Sequence, residues 1–265
     1  MKASLLHRVV EAELLDGLAA QDPAAQRARR DLQRVHRAMG TRSTVLRALR
    51  GLGLRRHGVT PGAPLQVLEL GAGDGTLMLG VARALHADWP PVALTLLDRQ
   101  DLLQTRTAAG YAAVGWAVTT QVGDVHDWVA DDGSGGSMPG GPLPLRPQVQ
   151  PKPRWDLILA HLFLHHFTAA PLAGLLAAVA ARSDHFVTVE PRRAWPAWAG
   201  SHLVGALGVN AVTRQDAVLS VQAGFRDQEL RALWPGTRAD GVTWTLREYP
   251  AGPFSHALTA SRGSD

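Results

Sequence analysis

Three groups of residues in this sequence have types and spacing suited to chemistry. Gly71, Gly73 and Gly75 stand at alternate positions directly behind the apolar run Val67-Leu68-Glu69-Leu70. Backbone without Cβ atoms lets a ligand approach closely. A helix starting behind such a turn offers free N–H groups and the positive end of its dipole, which suits a nucleotide or a carboxylate. The second group is acidic: Glu69, Asp98, Asp124 and Asp127. Asp98 follows Gly75 by 23 residues. At that distance a second parallel strand returns a carboxylate to the same sheet edge, where it can accept from both hydroxyls of a ribose. Asp98 is also placed to cap a following helix. The third group is His161, His165 and His166, imidazoles able to take a phenolic proton near neutrality. Neighbours on a helix point about 100° apart, so only one of His165 and His166 can face a bound molecule.

These groups need a sheet to bring them together. Val67 to Leu70 reads as a strand covered on both faces, and Leu77, Val81 and Leu85 mark a helix from Thr76 to Leu85. Further strands are predicted over Val92–Leu97, Trp116–Val122, Trp155–Ala160 and His185–Glu190, with helices over Leu102–Gly110 and from Pro171 to Ala181. Trp195 to Val209 is longer and more aromatic than a connector needs, which makes Trp195 and Trp198 candidates for an apolar substrate wall or for core packing. In the tail, Ala217–Gly224 reads as a helix, and Phe254–Ala260 as the last strand. Gln228–Leu233 and Thr243–Tyr249 both read as extended and compete for the place of the sixth strand.

Ahead of the sheet, the stripe Leu5, Leu6, Val9, Val10, Leu14, Leu15 and Leu18 predicts a helix over residues 4–19. Pro23 suits the first turn of a second helix, in which Leu32, Val35 and Met39 face inward and Arg27, Arg30, Arg34 and Arg37 line another side; Gly40 ends it. Thr41 or Ser43 can cap a third helix holding Val45, Leu46 and Leu49. Residues 1–60 are therefore expected to be a helical lead-in, and residues 61–265 an α/β domain. The Gly/Pro-rich stretch 131–153 reads as a mobile surface insertion.

Composition narrows the classes. The chain has 265 residues and 46% apolar content, enough for a sizeable core. It has no cysteine, which excludes disulfides, thiolate metal sites and cysteine nucleophiles. No apolar run approaches the roughly 20 residues of a membrane span, and Met1 to Val10 lacks the core of a signal peptide, so a cytoplasmic location is expected. Residues 1–56 hold 12 Lys and Arg against 5 Asp and Glu. That surplus reads as a solvated helix face rather than a nucleic-acid surface.

The pattern Glu69-x-Gly71-x-Gly73-x-Gly75 departs from the dinucleotide fingerprint G-x-G-x-x-G. It resembles the first motif of class I S-adenosylmethionine (SAM) methyltransferases. The phrase Trp155 to Phe167, where Leu-His-His-Phe follows the fourth strand, resembles the fourth motif of the branch acting on small molecules, especially the quinone-biosynthesis enzymes. The resemblance spans about residues 61–261. It implies a Rossmann-like sheet of seven mostly parallel strands, the last antiparallel, with helices on both faces. It implies SAM as cofactor and S-adenosylhomocysteine (SAH) as product, held by Glu69, Gly71, Ala72, Gly73, Gly75, Asp98, Arg99, Val125 and Ala160, with Asp124 reading the adenine amine and Asp127 as its competitor.

The Asp/Asn-Pro-Pro-Tyr signature of nucleobase-amine methylation does not follow the fourth strand, and no carboxylate cluster resembles the magnesium-dependent catechol enzymes. The expectation is metal-free methyl transfer to a hydroxyl or ring carbon of a small aromatic, quinol or polyketide-type acceptor. His165 is expected to be the base, His166 a structural partner and His161 the reserve. The competing readings are an RNA or protein methyltransferase docking through the arginine-rich helices, a NAD-dependent reductase, and a SAM-binding protein without catalysis.

Overall fold

The computed structural model describes residues 5–54, 63–85, 89–131, 154–236 and 243–263. They form a seven-stranded sheet of β1 (Leu65–Leu70), β2 (Val92–Asp98), β3 (Trp116–Val122), β4 (Trp155–His161), β5 (Ser183–Pro191), β6 (Trp244–Pro250) and β7 (Ser255–Arg262), in the order β3-β2-β1-β4-β5-β7-β6. Strands β1 to β5 run parallel, and β7 is antiparallel to both of its neighbours. The chain leaves β1 toward β2 on one side and returns to β4 on the other. The carboxyl ends of β1 and β4 therefore flank the switch point, where open α/β sheets bind ligands.

Period-two alternation sorts the strands onto two cores. Val67, Leu94, Leu96, Leu157, Leu159, Val187 and Val189 meet α2 (Thr41–Gly51) and α3 (Thr76–Leu85) through Val45, Leu49, Met78, Val81 and Leu85. Leu68, Leu70, Leu97, Ile158 and Phe186 face α6 (Ala169–Arg182) through Leu172, Leu175, Leu176 and Val179. Strand parity also sets the polar residues at the strand ends. Glu69 and Leu96 are register partners, as are His161 and Val189, so Glu69, Asp98 and His161 share the face of Leu96 and Leu159. Glu190 takes the opposite face.

Several local expectations are revised. Residues 5–22 are not a helix: they run as an extended strap with one short 3₁₀ turn at Leu15–Gly17. The strap's backbone bonds to the rest of the protein instead of to itself, which removes the helix's advantage. Val9 N–H donates to the Gln222 carbonyl (3.2 Å), and Leu14 and Leu15 N–H donate to the Asp216 carboxylate (2.8 and 3.0 Å). Helix α1 (Pro23–Met39) has proline in its first turn, as expected; Asp22 caps it, and it buries Ala25, Ala28, Asp31 and Val35. The cap of α2 is Gly40; neither Thr41 nor Ser43 serves.

Asp98 does not cap the next helix, since α4 spans Thr105–Ala112 behind Gln104. Gln228–Leu233 is not a strand; Glu229–Leu233 forms a short helix, and the sixth strand is β6. A sequence too short to show a period leaves such a segment to its packing, here Leu230 and Trp234 against Phe186. The insertion expected at 131–153 lies, except for Asp131, outside the described residues. Among the described residues no helix is long and apolar enough to cross a membrane.

Candidate active site

A cavity of about 1010 Å³ opens over the carboxyl ends of β1, β2 and β4. Its polar floor includes Glu69, Gly71, Ala72, Gly73, Asp98, Arg99, Asp124, Val125 and His161. Leu32, Val35 and Met39 of α1, and Leu203, Val204 and Leu207 behind α7 (Trp195–Leu203), supply apolar wall. The strap from Val10 to Gly17 and Asp216 and Ser220 of α8 (Ala211–Ala223) complete it.

The glycine turn is built as its spacing requires. Gly71, Gly73 and Gly75 have φ of 65°, 57° and 69°, a region that strains any residue with a Cβ. Gly71 and Ala72 N–H both donate to the Leu97 carbonyl (2.9 and 3.2 Å), tying the turn to β2. Asp98 then reaches back, accepting from Gly73 N–H at 2.9 Å and, with its other oxygen, from Gln100 N–H at 3.1 Å. Asp74 accepts from Thr76 N–H (3.0 Å) at the start of α3 and from the Gln33 side-chain amide (2.8 Å) of α1. Glu69 is buried beneath the turn with one carboxylate oxygen lacking any hydrogen-bond partner. Burial, then the neighbouring charges of Asp74 and Asp98, push its pKa up to about 8.

Asp124 caps α5 (Val125–Ala130), accepting from His126 N–H at 2.8 Å, and lines the cavity; Asp127 does not line it. Trp128 packs in the core under the Arg182 guanidinium. Arg99 reaches Asp16 of the strap at 3.7 Å. Gly75 and Ala160 are one layer below the cavity surface: the Gly75 carbonyl accepts from the Tyr111 hydroxyl (2.7 Å), and Ala160 is fully buried in the sheet. Trp195 and Trp198 do not line this cavity; Trp195 borders a smaller one beside Arg192, Arg226 and His256. Trp195 is 64% exposed, and Trp198 stacks edge-on against His202. The face of α7 turned to the cavity is that of Ala197, Gly200 and Ser201.

Beyond β4, Leu162 adopts a left-handed φ of 54° and turns the chain into a 3₁₀ turn over Leu164–His166. Glu190, at the end of β5, anchors that turn from beneath. It accepts from the N–H groups of Phe163 (3.1 Å), Leu164 (3.0 Å) and His165 (3.3 Å), from the Thr188 hydroxyl (3.0 Å) and from His165 Nδ1 (2.7 Å). The other His165 nitrogen, Nε2, lies 3.3 Å from Glu13 of the strap. His166 Nδ1 donates to the Phe163 carbonyl (2.9 Å), and its Nε2 lies 3.4 Å from Glu13 and 3.6 Å from Asp16.

Burial opposes charge on His165, but its contacts with Glu13 and Glu190 outweigh it and push its pKa up to about 9. Burial likewise opposes charge on Glu13, yet the two histidines hold its carboxyl well below the usual range. Both ring nitrogens of His165 face carboxylates, Glu190 and Glu13, which argues against the sequence expectation that it is the free base. His161 is buried with neither ring nitrogen hydrogen-bonded, and burial, opposed by Glu190, pulls its pKa down to about 4. A base that weak takes a phenolic proton poorly. His36 of α1, unnoticed in the sequence, also lines the cavity, its pKa pushed down to about 4 by burial against the opposing charge of Asp74.

The sequence also gave no signal for Glu13, which sits in an apparently helical stretch. Glu190 was findable, because it ends a buried parallel strand at the ligand-binding edge.

No protein-family model matches the sequence, and no curated protein sequence matches it. Solved structures do. A plantazolicin methyltransferase in complex with SAH aligns with a TM-score of 0.54 at 12% identity, covering 91% of this chain and 91% of that one. An O-methyltransferase family protein from Burkholderia thailandensis aligns with a TM-score of 0.56 at 16% identity, covering 100% of this chain and 67% of that one. With this strand order, the glycine turn at its switch point and these alignments, the chain has the fold of the class I SAM-dependent methyltransferases.

Proposed function

We propose that this protein is a SAM-dependent methyltransferase acting on a hydroxyl, or a ring carbon, of a small aromatic, quinol or polyketide-type acceptor. The observation that carries this reading is the group of three carboxylates, Glu69, Asp74 and Asp98, gathered around a glycine turn at the switch point, with a Glu69 oxygen left unpartnered. Such a site suits a cationic ligand that also carries ribose hydroxyls, and SAM has an ammonium, a sulfonium and a ribose. NAD carries a pyrophosphate, which the Asp74 and Asp98 carboxylates would repel, whereas a cationic ligand would favour ionised Glu69 as well. SAM-type neighbours such as the SAH-bound plantazolicin enzyme support the same reading.

In the transfer, an acceptor oxygen forms a bond to the sulfonium methyl as the carbon–sulfur bond breaks. The electron pair of the broken carbon–sulfur bond would stay on sulfur as the neutral thioether of SAH, and the acceptor's proton would pass to a base or to solvent. The protein's contribution is mainly approach geometry, with the strap and α1 closing the acceptor side of the cavity. With both nitrogens of His165 facing carboxylates and His161 buried, His166 is the histidine best placed to act at the acceptor. The arginine face of α1 is partly engaged within the molecule, Arg27 and Arg34 with Asp31 (3.8 and 3.5 Å) and Arg29 with Gln100 (3.0 Å). That lowers the appeal of a polynucleotide or protein acceptor.

Calorimetric titration with SAM, SAH and NAD tests the cofactor: SAM and SAH bind and NAD does not. Asp98→Ala should weaken SAM by roughly 10- to 100-fold, the loss of a charged acceptor worth about 1.5–3 kcal/mol. An unchanged affinity would remove Asp98 from the site.

The glycines separate fold from ligand. A Cβ at Gly71 would lie 2.1 Å from Phe163 Cδ2, whereas one at Gly73 meets no atom within 4 Å. Gly71→Ala should therefore lower the melting temperature more than Gly73→Ala, whose backbone strain costs about 1–2 kcal/mol. Gly73→Ala, by crowding the ligand's approach, should still lose SAM affinity. Equal melting temperatures for the two variants would contradict the turn geometry.

A further inference from the structure

We propose that His165, His166 and Glu13 form a divalent-metal site on the acceptor side of the cavity. The proposal rests on the geometry of the cluster and not on methyl transfer; with an ion bound, His166 would be a ligand and no longer a free base, a departure from the metal-free reaction expected from the sequence.

The argument starts from the tautomers. A carbonyl oxygen can only accept, so His166 Nδ1, 2.9 Å from the Phe163 carbonyl, carries the proton. His165 Nδ1 is 2.7 Å from the Glu190 carboxylate and carries one for the same reason. An ion would displace any proton held at His165 Nε2, as metal binding to histidine does, and in the neutral rings both Nε2 atoms lie on the Glu13 side, 3.3 and 3.4 Å from its carboxylate. His165 Nε2 faces one Glu13 oxygen, which also accepts from the Ser220 hydroxyl, and His166 Nε2 faces the other, so two ring nitrogens and a carboxylate border one space that a cation would fill.

A proton at His165 Nε2 fills that place loosely: charge-assisted N–H···O bonds close to about 2.7–2.9 Å, whereas here the separations to the two Glu13 oxygens are 3.3 and 3.4 Å. Ligand atoms bound tetrahedrally at about 2.0–2.1 Å from a zinc-like ion stand about 3.3 Å apart. The three residues offer ligand atoms within 4.8 Å of one another.

The surroundings fit the same role. Metal-bound imidazoles usually donate their second N–H to a carboxylate or a backbone carbonyl, which fixes ring orientation. His165 has the former in Glu190, and His166 has the latter in Phe163. Two imidazole nitrogens and a carboxylate suit zinc and the neighbouring divalent transition metals. Three protein ligands leave a coordination position open to the cavity. An acceptor oxygen bound there would lose its proton more readily, as water does on zinc. Glu13 belongs to the strap, so an ion would also fasten the strap across the cavity mouth.

The test uses the untagged full-length chain, stripped of metal and titrated with Co²⁺ and with Zn²⁺. The expected result is one saturable equivalent per chain, with the intense visible absorption of tetrahedral Co²⁺ and its displacement by Zn²⁺. His166→Ala and Glu13→Gln should weaken binding by about 100-fold or more, while His202→Ala, remote from the cluster, should not. No saturable binding by the wild-type chain overturns the proposal, and so does equal affinity in all three variants. SAM titration of His166→Ala, whose ring is half-buried, separates this outcome from the cofactor reading: retained SAM binding with lost cobalt binding supports the metal site alone. If a variant fails to fold, the wild-type cobalt titration still decides.

Discussion

Replacing Glu190 by alanine should lower the melting temperature by roughly 10 °C. The carboxylate is fully buried and accepts from three consecutive backbone N–H groups, a hydroxyl and the His165 ring. Those contacts, the His165 ring first among the favourable ones, hold its pKa below the usual range even though burial alone would raise it. Alanine would orphan all of these donors and leave the His165 charge facing only Glu13. Removing one partner of a buried pair costs about 3–5 kcal/mol, and a chain of this size loses about 2–4 °C per kcal/mol. Glu190→Gln keeps the volume and one acceptor oxygen, so its fall should be smaller. Calorimetry on the two variants measures both. A drop of less than about 3 °C in Glu190→Ala would mean that the 3₁₀ turn holds itself together without this anchor.

Deleting residues 1–20 should cut turnover by about 100-fold or more, while SAM affinity stays within roughly tenfold of wild type. The strap contributes Glu13 and Asp16 to the cavity wall and is held by Arg8. The Arg8 guanidinium donates to the carbonyls of Ala223 (2.6 Å), Phe167 (2.7 Å), His165 (3.0 Å) and Leu164 (3.3 Å). Without it the acceptor side lies open to water, whereas the glycine turn and Asp98 keep their own contacts. The cut must fall before α1. A truncation to residue 55, which the sequence invites, would strip Val45, Ala48 and Leu49 out of the main core and unfold the protein. Turnover with an acceptor found by screening, set beside a SAM titration, checks the prediction. Full-rate methylation by the shortened chain would show that the strap is no part of the active site.

The sheet was legible because buried parallel strands write themselves as short apolar runs between breaks. Leu65–Leu70, Val92–Asp98, Trp116–Val122 and Trp155–His161 fall where such runs predict them. The glycine turn was legible for a related reason: alternate glycines in front of an amphipathic helix have few other uses, and all three adopt positive φ. The position of Asp98 followed from spacing along the chain, and that of Asp124 from the resemblance, which implies an acidic residue just after the third strand.

The strap was not legible. Its leucines and valines carry a helical period, but Leu6, Val9 and Leu14 remain exposed, and its hydrogen bonds go to α8 and the 3₁₀ turn. Those partners lie about 200 positions away in the chain. The roles of the histidines were hidden for the same reason. Leu-His-His-Phe places two imidazoles side by side, but their protonation depends on Glu13 and Glu190, which arrive from opposite ends of the sequence. The two tryptophans of α7 were misplaced because helix periodicity shows that a face is apolar without showing which side meets the cavity. By itself, then, the sequence determined the α/β sheet, the nucleotide-type turn and the carboxylates at the strand ends, all properties of local pattern and strand order. Only the tertiary structure decided what closes the cavity and which carboxylates each histidine faces, because both depend on contacts between residues that are distant in the chain and close in space.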